Sequence, residues 1–409
     1  MTPDWTNQNR ANGQWMLRHL QELSCQPRQS SGGQYYAHCP FHQDEKPSFT
    51  LNAEKGAFHC FGCGLYGYIQ HFAHALEAKR FAVDYPSTLS KLGQKKFTQE
   101  LRRRTELLKV PVDAQAVAAC HAKAIDHWHK LLLNNPTYRR LVCEPYDAVF
   151  TTHIFSKSTG TIREESHRYT SPQFTDATVE RFHIGFASPS NIDLVRELRK
   201  DFSNETIIGT GLFRGHGNNG MVCVIAGRVV YPYLLAGRSV YAIGRLTEYT
   251  PCNLAHCKYF KQKSALNGQQ LPLQNPPLFN PDVIDQARVV LITEGITDAI
   301  AACQAGADAI SPVTTAFQRD KLDEIAERLR GKQVIICNDS EESGTGERCA
   351  ERMKEELTER GVDVRCVRLP RFPDQKKVDV CSFIREEGAA TFHALIERRS
   401  GISLLTPPC

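Results

Sequence analysis

No stretch of about 18 apolar residues occurs in this 409-residue sequence, which excludes a conventional membrane-spanning helix. The N-terminus, MTPDWTNQNRANGQWM, lacks the basic-then-apolar pattern of a secretory signal, so cytoplasmic residence with no membrane partner is the expectation. A disulfide framework is missing too. The fifteen cysteines are odd in number and mostly stand singly, a distribution that fits free buried thiols plus one metal site. No internal repeat is evident.

What is present is enough chain for two or three domains and a sizeable core. The net charge of +5 is modest but unevenly spread. Between Lys91 and Lys109, seven basic residues face Glu100 and Glu106, so 7 − 2 = +5 sits in one short stretch. Such a run is a solvated helix face, a linker or a nucleic-acid contact.

Residues 14–24 read as a short helix and 34–61 as strands and turns. From Ile69 to Leu108 the pattern is helical, broken near Pro86, and a domain boundary is expected near 100–112, where charge is dense and Pro111 follows. A further helix is expected from Ala114 to Leu133, stopped by Asn134-Asn135-Pro136. Residues 145–170 form a β excursion, 182–246 are β-rich with a hairpin around Gly237, and 248–286 read as a long loop. From Ala287 onward, apolar strands alternate with amphipathic helices, which implies a parallel sheet covered by helices. Ligands of such sheets bind beyond the carboxyl ends of the strands.

Near the N-terminus, Cys39 and His42 are followed after 17 residues by Cys60 and Cys63. A Cys-x-x-His pair plus a Cys-x-x-Cys pair supplies four ligands for tetrahedral Zn2+, each pair gripping from one tight turn. Phe41, Phe49, Phe58 and Phe61 are expected to wrap this site. Such ribbons are structural in some proteins and touch nucleic acid in others. His38 and His59 break the spacing, and Cys252, His256 and Cys257 form a chance cluster with only three donors.

Two apolar strands run straight into acids. VVLITEGITDAI delivers Glu294 at a strand end and Asp298 in the first turn of the following helix. KQVIICNDSEESGTG delivers Asp339 and Glu341. If the two strands are neighbours, these carboxylates converge at a mutual electrostatic cost that a divalent cation offsets. Oxygen ligands of this kind suit Mg2+ or Mn2+. Taken singly, each acid is equally well explained as a complement to a helix N-terminus or as a solvated loop residue.

Together these stretches resemble the bacterial DnaG-type primases. CPFHQDEKPSF and FHCFGCG are similar to their N-terminal zinc module. VERFHIGFA, GRVVYPYLLAGRSVYAIGRL and CKYF are similar to the basic subdomain that precedes their catalytic sheet. LITEGITDAIAA and ICNDSEESG are similar to the two signatures of the Toprim fold. The resemblance spans roughly residues 34–80 and 178–390 and implies an α/β multidomain fold: a β-rich zinc ribbon, an α+β basic subdomain and a Toprim parallel-sheet core. The corresponding divisions are 1–105 for the template-binding ribbon with its helical tail, 106–140 for a helical linker, 141–286 for the basic subdomain and 287–409 for the Toprim region. It also implies RNA primer synthesis on single-stranded DNA from nucleoside triphosphates, with a replicative helicase or another replication protein met in trans. Glu294 matches the glutamate assigned to acid–base or metal work, and Asp298, Asp339 and Glu341 match metal-binding acids. Asp379 matches a further acid, while Arg228, Arg245 and Lys258 match basic positions that approach template, nucleotide or primer. In that setting Phe49, Phe58 and Tyr66 are candidates to stack on template bases, with packing in the core of the ribbon the stronger expectation for all three.

Some positions depart from the family pattern. Glu341 stands where aspartate is usual, and Cys381 replaces a second late aspartate, removing a metal ligand. Residues 145–176 resemble nothing in the family. No helical module like the one these primases use to bind the replicative helicase is read here, so a stand-alone, mobile-element or phage-like setting is the expectation. A Toprim nuclease using the same acids and a non-catalytic DNA-binding or loading protein are the alternatives.

Overall fold

The computed structural model describes residues 5–404 with the exception of 31, 43, 45, 64, 81–111, 157–160, 217–219, 252–253, 255–256, 267–268 and 372–374. The basic run, the helix expected around Pro86 and the boundary near 100–112 fall outside the described residues, apart from Val112. No described helix is long and apolar enough to cross a membrane.

The first unit opens with helix α1 (Trp5–Glu22), which begins well before the expected residue 14. Strands β1 (Arg28–Gln29), β2 (Gln34–Ala37), β3 (Phe49–Asn52), β4 (Ala57–Cys60) and β5 (Tyr66–Tyr68) follow in an antiparallel sheet of that order, and α2 (Ile69–Arg80) closes it. Strand alternation divides the aromatics. Phe49, Leu51 and Phe58 turn inward against Met16, Leu17 and Leu20 of α1 and Phe72 of α2. Phe49 and Phe58 are therefore core residues, the stronger of the two expectations, and are not available to stack on bases. Phe61, expected to wrap the metal site, is instead 70% exposed.

The second unit starts with α3 (Ala114–Asn134), whose N-cap Asp113 accepts from the Gln115 N–H at 2.9 Å. Val117, Cys120, Ala124, Ile125, Trp128 and Leu132 make its buried stripe. Asn135-Pro136, expected only as a stop, also starts α4 (Pro136–Cys143): Asn135 accepts from Thr137 and Tyr138, and proline occupies the first helical turn. Strands β6 (Asp147–Ser156) and β7 (Thr161–Thr170) pair over ten residues as an antiparallel ribbon.

Strands β8 (Gly185–Ala187), β9 (Arg228–Leu235), β10 (Arg238–Arg245) and β11 (Tyr259–Lys261) form an antiparallel sheet ordered β11–β10–β9–β8. The β9–β10 turn is Ala236-Gly237, both at positive φ (47° and 72°), the geometry that follows strand twist in two-residue hairpins. Successive residues of β9 feed opposite cores. Val229, Tyr231 and Tyr233 face the core shared with the third unit, while Val230 packs with Ala124, Ile125 and Trp128 of α3. Two short helices, Ile192–Leu198 and Asn204–Gly209, interrupt the region read as β-rich, and the expected loop 248–286 contains β11, two further short strands and a helical turn.

The third unit is a parallel sheet of β12 (Val289–Thr293), β13 (Ala309–Ile310), β14 (Gln333–Cys337) and β16 (Asp363–Cys366), ordered β13–β12–β14–β16. Its two central strands, β12 and β14, are apolar runs because both faces are covered, whereas the edge strand β16 exposes Asp363. On one face, Leu291 and Ile335 meet α5 (Ile296–Gln304), α8 (Val380–Glu387) and α9 (Ala389–Ser400). On the other, Val290, Ile292, Val334 and Ile336 meet α6 (Leu322–Leu329) and α7 (Thr345–Thr358). A small antiparallel pair, β15 (Ser340–Glu341) with β17 (Lys377–Val378), lies past the end of β14. The protein is thus an α/β multidomain fold.

Arg228 is the main correction among the basic residues. It is fully buried at the start of β9, and its guanidinium donates to the carbonyls of Gly244, Leu254, Cys257 and Lys258 at 3.2, 2.6, 3.0 and 3.3 Å. Burial lowers its pKa to about 10, and no face of it remains for template or nucleotide. Its task is to tie the end of β10 and the segment before β11 to β9. Arg228→Met should strand these carbonyls and lower stability by about 3 kcal/mol or more in chemical denaturation; a loss below about 0.5 kcal/mol would refute the clamp.

Candidate functional site

Strands β12 and β14 are direct parallel neighbours, with Thr293 paired to Cys337. Glu294 and Asp339 therefore leave adjacent carboxyl ends and enter one crevice. Gly346, at the start of α7, lets the helix press on this turn: a Cβ there would come within 2.0 Å of the Asp339 carbonyl oxygen. Asp298, in the first turn of α5, is buried and accepts from the Cys381 N–H at 2.9 Å. Asp379 caps α8, accepting from the Ser382 N–H at 2.7 Å while the Ser382 hydroxyl lies 3.1 Å from the Asp379 nitrogen. Glu341 lies opposite Lys377 in the β15–β17 pair.

These groups feel one another. Burial, then the Asp339 charge, raises the pKa of Glu294. Burial followed by Asp379 and Asp339 holds Asp298 well above the usual carboxylate range. Asp339 is raised by burial as well, against the opposing pull of Lys377. Lys377 places its Nζ 2.5 Å from Asp339 Oδ2. Burial works against that ammonium, but the Asp339 bond and the fields of Glu294 and Glu341 outweigh it and push its pKa up to about 12. Asp339 Oδ1 is buried without a hydrogen-bond partner. An oxygen-rich cluster with an orphaned carboxylate oxygen fits a hard divalent cation.

Lys258 is exposed within the field of Asp298 and Asp379. Arg245 sits over the Tyr169 ring at 4.4 Å and donates to the Thr170 carbonyl at 3.0 Å, anchoring β10 to β7. Cys381 is buried, and burial together with Asp379 and Asp298 raises its thiol pKa. The sequence reading missed Lys377. The tandem Lys376-Lys377 before Asp379 was the available signal, but only the β15–β17 pairing turns one of the two inward.

At the other site, Cys39, His42, Cys60 and Cys63 bring one ligand atom each within 4.8 Å of one another. Cys39 Sγ lies 4.0 Å from Cys63 Sγ, and Cys60 Sγ lies 3.8 Å from His42 Nδ1, edge lengths that suit a zinc tetrahedron. The N–H groups of Phe41 and Cys63 donate to the sulfurs of Cys39 and Cys60, both at 3.4 Å. Asp44, not anticipated, braces the turn. One oxygen accepts from the Cys39 N–H at 2.8 Å and the Ser48 hydroxyl at 2.9 Å, and the other lies 3.6 Å from His42 Nε2. Cys252 and His256 fall outside the described residues.

The outward face of the ribbon carries a cross-strand row in which Arg28, Tyr36, Thr50, His59 and Tyr66 are successive partners. Phe61 extends it, edge-on to His59 at 4.3 Å, and Tyr68 is also exposed.

A family model described as CHC2 zinc finger matches residues 26–105, and one described as Toprim-like matches 291–384. A DNA primase of Enterococcus faecalis is 26% identical over 89% of this chain and 54% of its own length. One of Haemophilus influenzae is 26% identical over 91% of this chain and 57% of its own. The chain thus spans about half the length of these curated relatives. A crystal structure of the Aquifex aeolicus primase, with zinc-binding and RNA polymerase domains, has the same fold: TM-score 0.53 and 20% identity over 97% of this chain and 86% of that one. The chain thus carries a CHC2 zinc-finger match and a Toprim-like match in that order, and it is similar along about nine-tenths of its length to proteins named DNA primase.

Proposed function

We propose that the protein is a DNA primase that joins nucleoside triphosphates into short RNA primers on a single-stranded DNA template. The observation that carries this reading is the meeting of Glu294 and Asp339 beyond adjacent parallel strands, with Asp298 and Asp379 beside them and Asp339 Oδ1 left unpartnered. In this reading residues 1–105 present template, 106–140 link, 141–286 supply cations and 287–409 carry the chemistry.

Glu294, Asp339, Glu341 and Asp379 would hold Mg2+ or Mn2+, which when bound supplies Lewis acidity at the attacked phosphate and favours ionisation of the primer hydroxyl. Asp298 acts from behind: its bond to the Cys381 N–H fixes the start of α8 and hence the Asp379 cap. Lys258 and Arg245 are the cations placed for phosphate and primer, so affinity should fall with salt. Cys39, His42, Cys60 and Cys63 would hold Zn2+ and thereby keep β4 and its neighbours flat enough to present Tyr36, His59, Phe61 and Tyr66 to unstacked bases.

Asp339→Asn should reduce labelled-ribonucleotide incorporation on single-stranded DNA by at least about a hundredfold, leaving DNA affinity unchanged. Undiminished synthesis would remove the assigned metal role, and cleavage of the template in place of synthesis would favour a nuclease. For the ribbon, Cys60→Ser should abolish the zinc found by plasma mass spectrometry in the purified chain; equal zinc in both proteins would refute the ligand set. Removing Phe61 and Tyr66 together by alanine should weaken single-strand binding, read by fluorescence anisotropy at fixed salt, by about 1 kcal/mol per ring or more. Unchanged affinity would move the template elsewhere.

A further inference from the structure

The acid cluster contains a cation of the chain's own, and the proposed reaction leaves it without a task. Lys377 reaches from β17 to Asp339 Oδ2, with its side chain half exposed while that of Asp339 is nine-tenths buried. Glu294 and Glu341 also act on the ammonium. A divalent ion on the free Oδ1 would stand within a few ångströms of that charge, where two cations repel by several kcal/mol at protein-like screening. Both cannot stay on one carboxylate at full strength. Lysine is suited to leave: its charge sits on a flexible four-carbon stem, and half of the side chain already meets solvent.

We propose that Lys377 is an exchangeable counter-cation of the catalytic cluster, neutralising Asp339 while the metal is away and displaced from it when a divalent ion enters. The inference rests on the assignment of Asp339 as a metal ligand. It has a functional consequence. The displaced ammonium needs a new anionic partner, and the triphosphate that arrives with the ion is one, so metal entry and nucleotide arrival reinforce each other.

The test is Mn2+ binding to the full chain, followed by electron paramagnetic resonance of the free ion with no reaction running. Lys377→Met keeps the stem and removes the charge, and it should bind Mn2+ roughly tenfold more tightly than the wild type. Lys377→Arg should stay near the wild-type affinity. Lys354→Met, on the exposed face of α7, controls for net charge and should change little. Equal or weaker Mn2+ binding by folded Lys377→Met overturns the proposal. If that variant does not fold, the wild type still decides: its lysines are reductively methylated with 13C, and Mg2+ should move the resonance that Lys377→Arg deletes. A resonance indifferent to Mg2+ overturns the exchange. Absence of any saturable Mn2+ binding that Asp339→Asn removes would instead sink the metal assignment beneath it.

Discussion

Carboxylates at the ends of neighbouring parallel strands repel one another, and much of the third unit is arranged to tolerate that repulsion. The sheet cannot move Glu294 and Asp339 apart, because Thr293 and Cys337 are paired immediately before them. Relief comes locally. Asp298 takes a backbone N–H from Cys381, Asp379 takes one from Ser382, and Asp339 takes the Lys377 ammonium. Each donor lies on or beside α8 and β17, a late part of the chain with no role in the sheet itself. The C-terminal segment is thus bound to the sheet by charge as well as by the apolar contacts of Phe383, Phe392 and Leu395. The residual cost is the pKa elevation of Glu294, Asp298 and Asp339, which a divalent ion would discharge. A site destabilised when empty is poised to bind.

The ribbon meets a different constraint. A unit of short strands and two helices has only a small core to draw on. It gathers Phe49, Phe58 and Phe72 into one packed group, with Phe49 and Phe58 stacked at 5.2 Å, and adds a four-ligand metal cage at one end. Because the inward face is spent on this core, outward-facing aromatics are available for another purpose. The alternation that hides Phe58 exposes His59, and the alternation that hides Cys60 exposes Phe61.

Legibility in the sequence followed locality. The parallel sheet was readable because Val334-Ile335-Ile336 and Leu291-Ile292 are apolar runs between helical periods, and the zinc ligands because two short spacings define them. Convergence of Glu294 with Asp339 needed only the inference that their strands are neighbours. What escaped depends on distant pairing. Lys377 turns inward through its register with Glu341, and Asp44 matters because its turn folds back on Cys39 and His42. Arg228 was misread for a complementary reason: arginine in a basic region suggests a surface contact, and nothing local announces that four carbonyls surround it. Core packing was already the stronger expectation for Phe49 and Phe58, and strand alternation is what places both on the inward face.

Cys381 illustrates how a position can keep one duty and lose another. Its backbone N–H holds Asp298, and the α8 start that places Asp379 depends on that bond, so any residue but proline could serve there. The family's aspartate at this position would add a negative side chain to a crevice that already lifts the pKa of three acids. The cysteine removes that charge, and burial, then the fields of Asp379 and Asp298, push its thiol pKa up against the pull of Arg245. The cluster therefore carries one negative side chain fewer, and with it less repulsion. Within the cluster, Asp339 is the acid that keeps a buried oxygen without a hydrogen-bond partner, so the proposed ion would lean on it most.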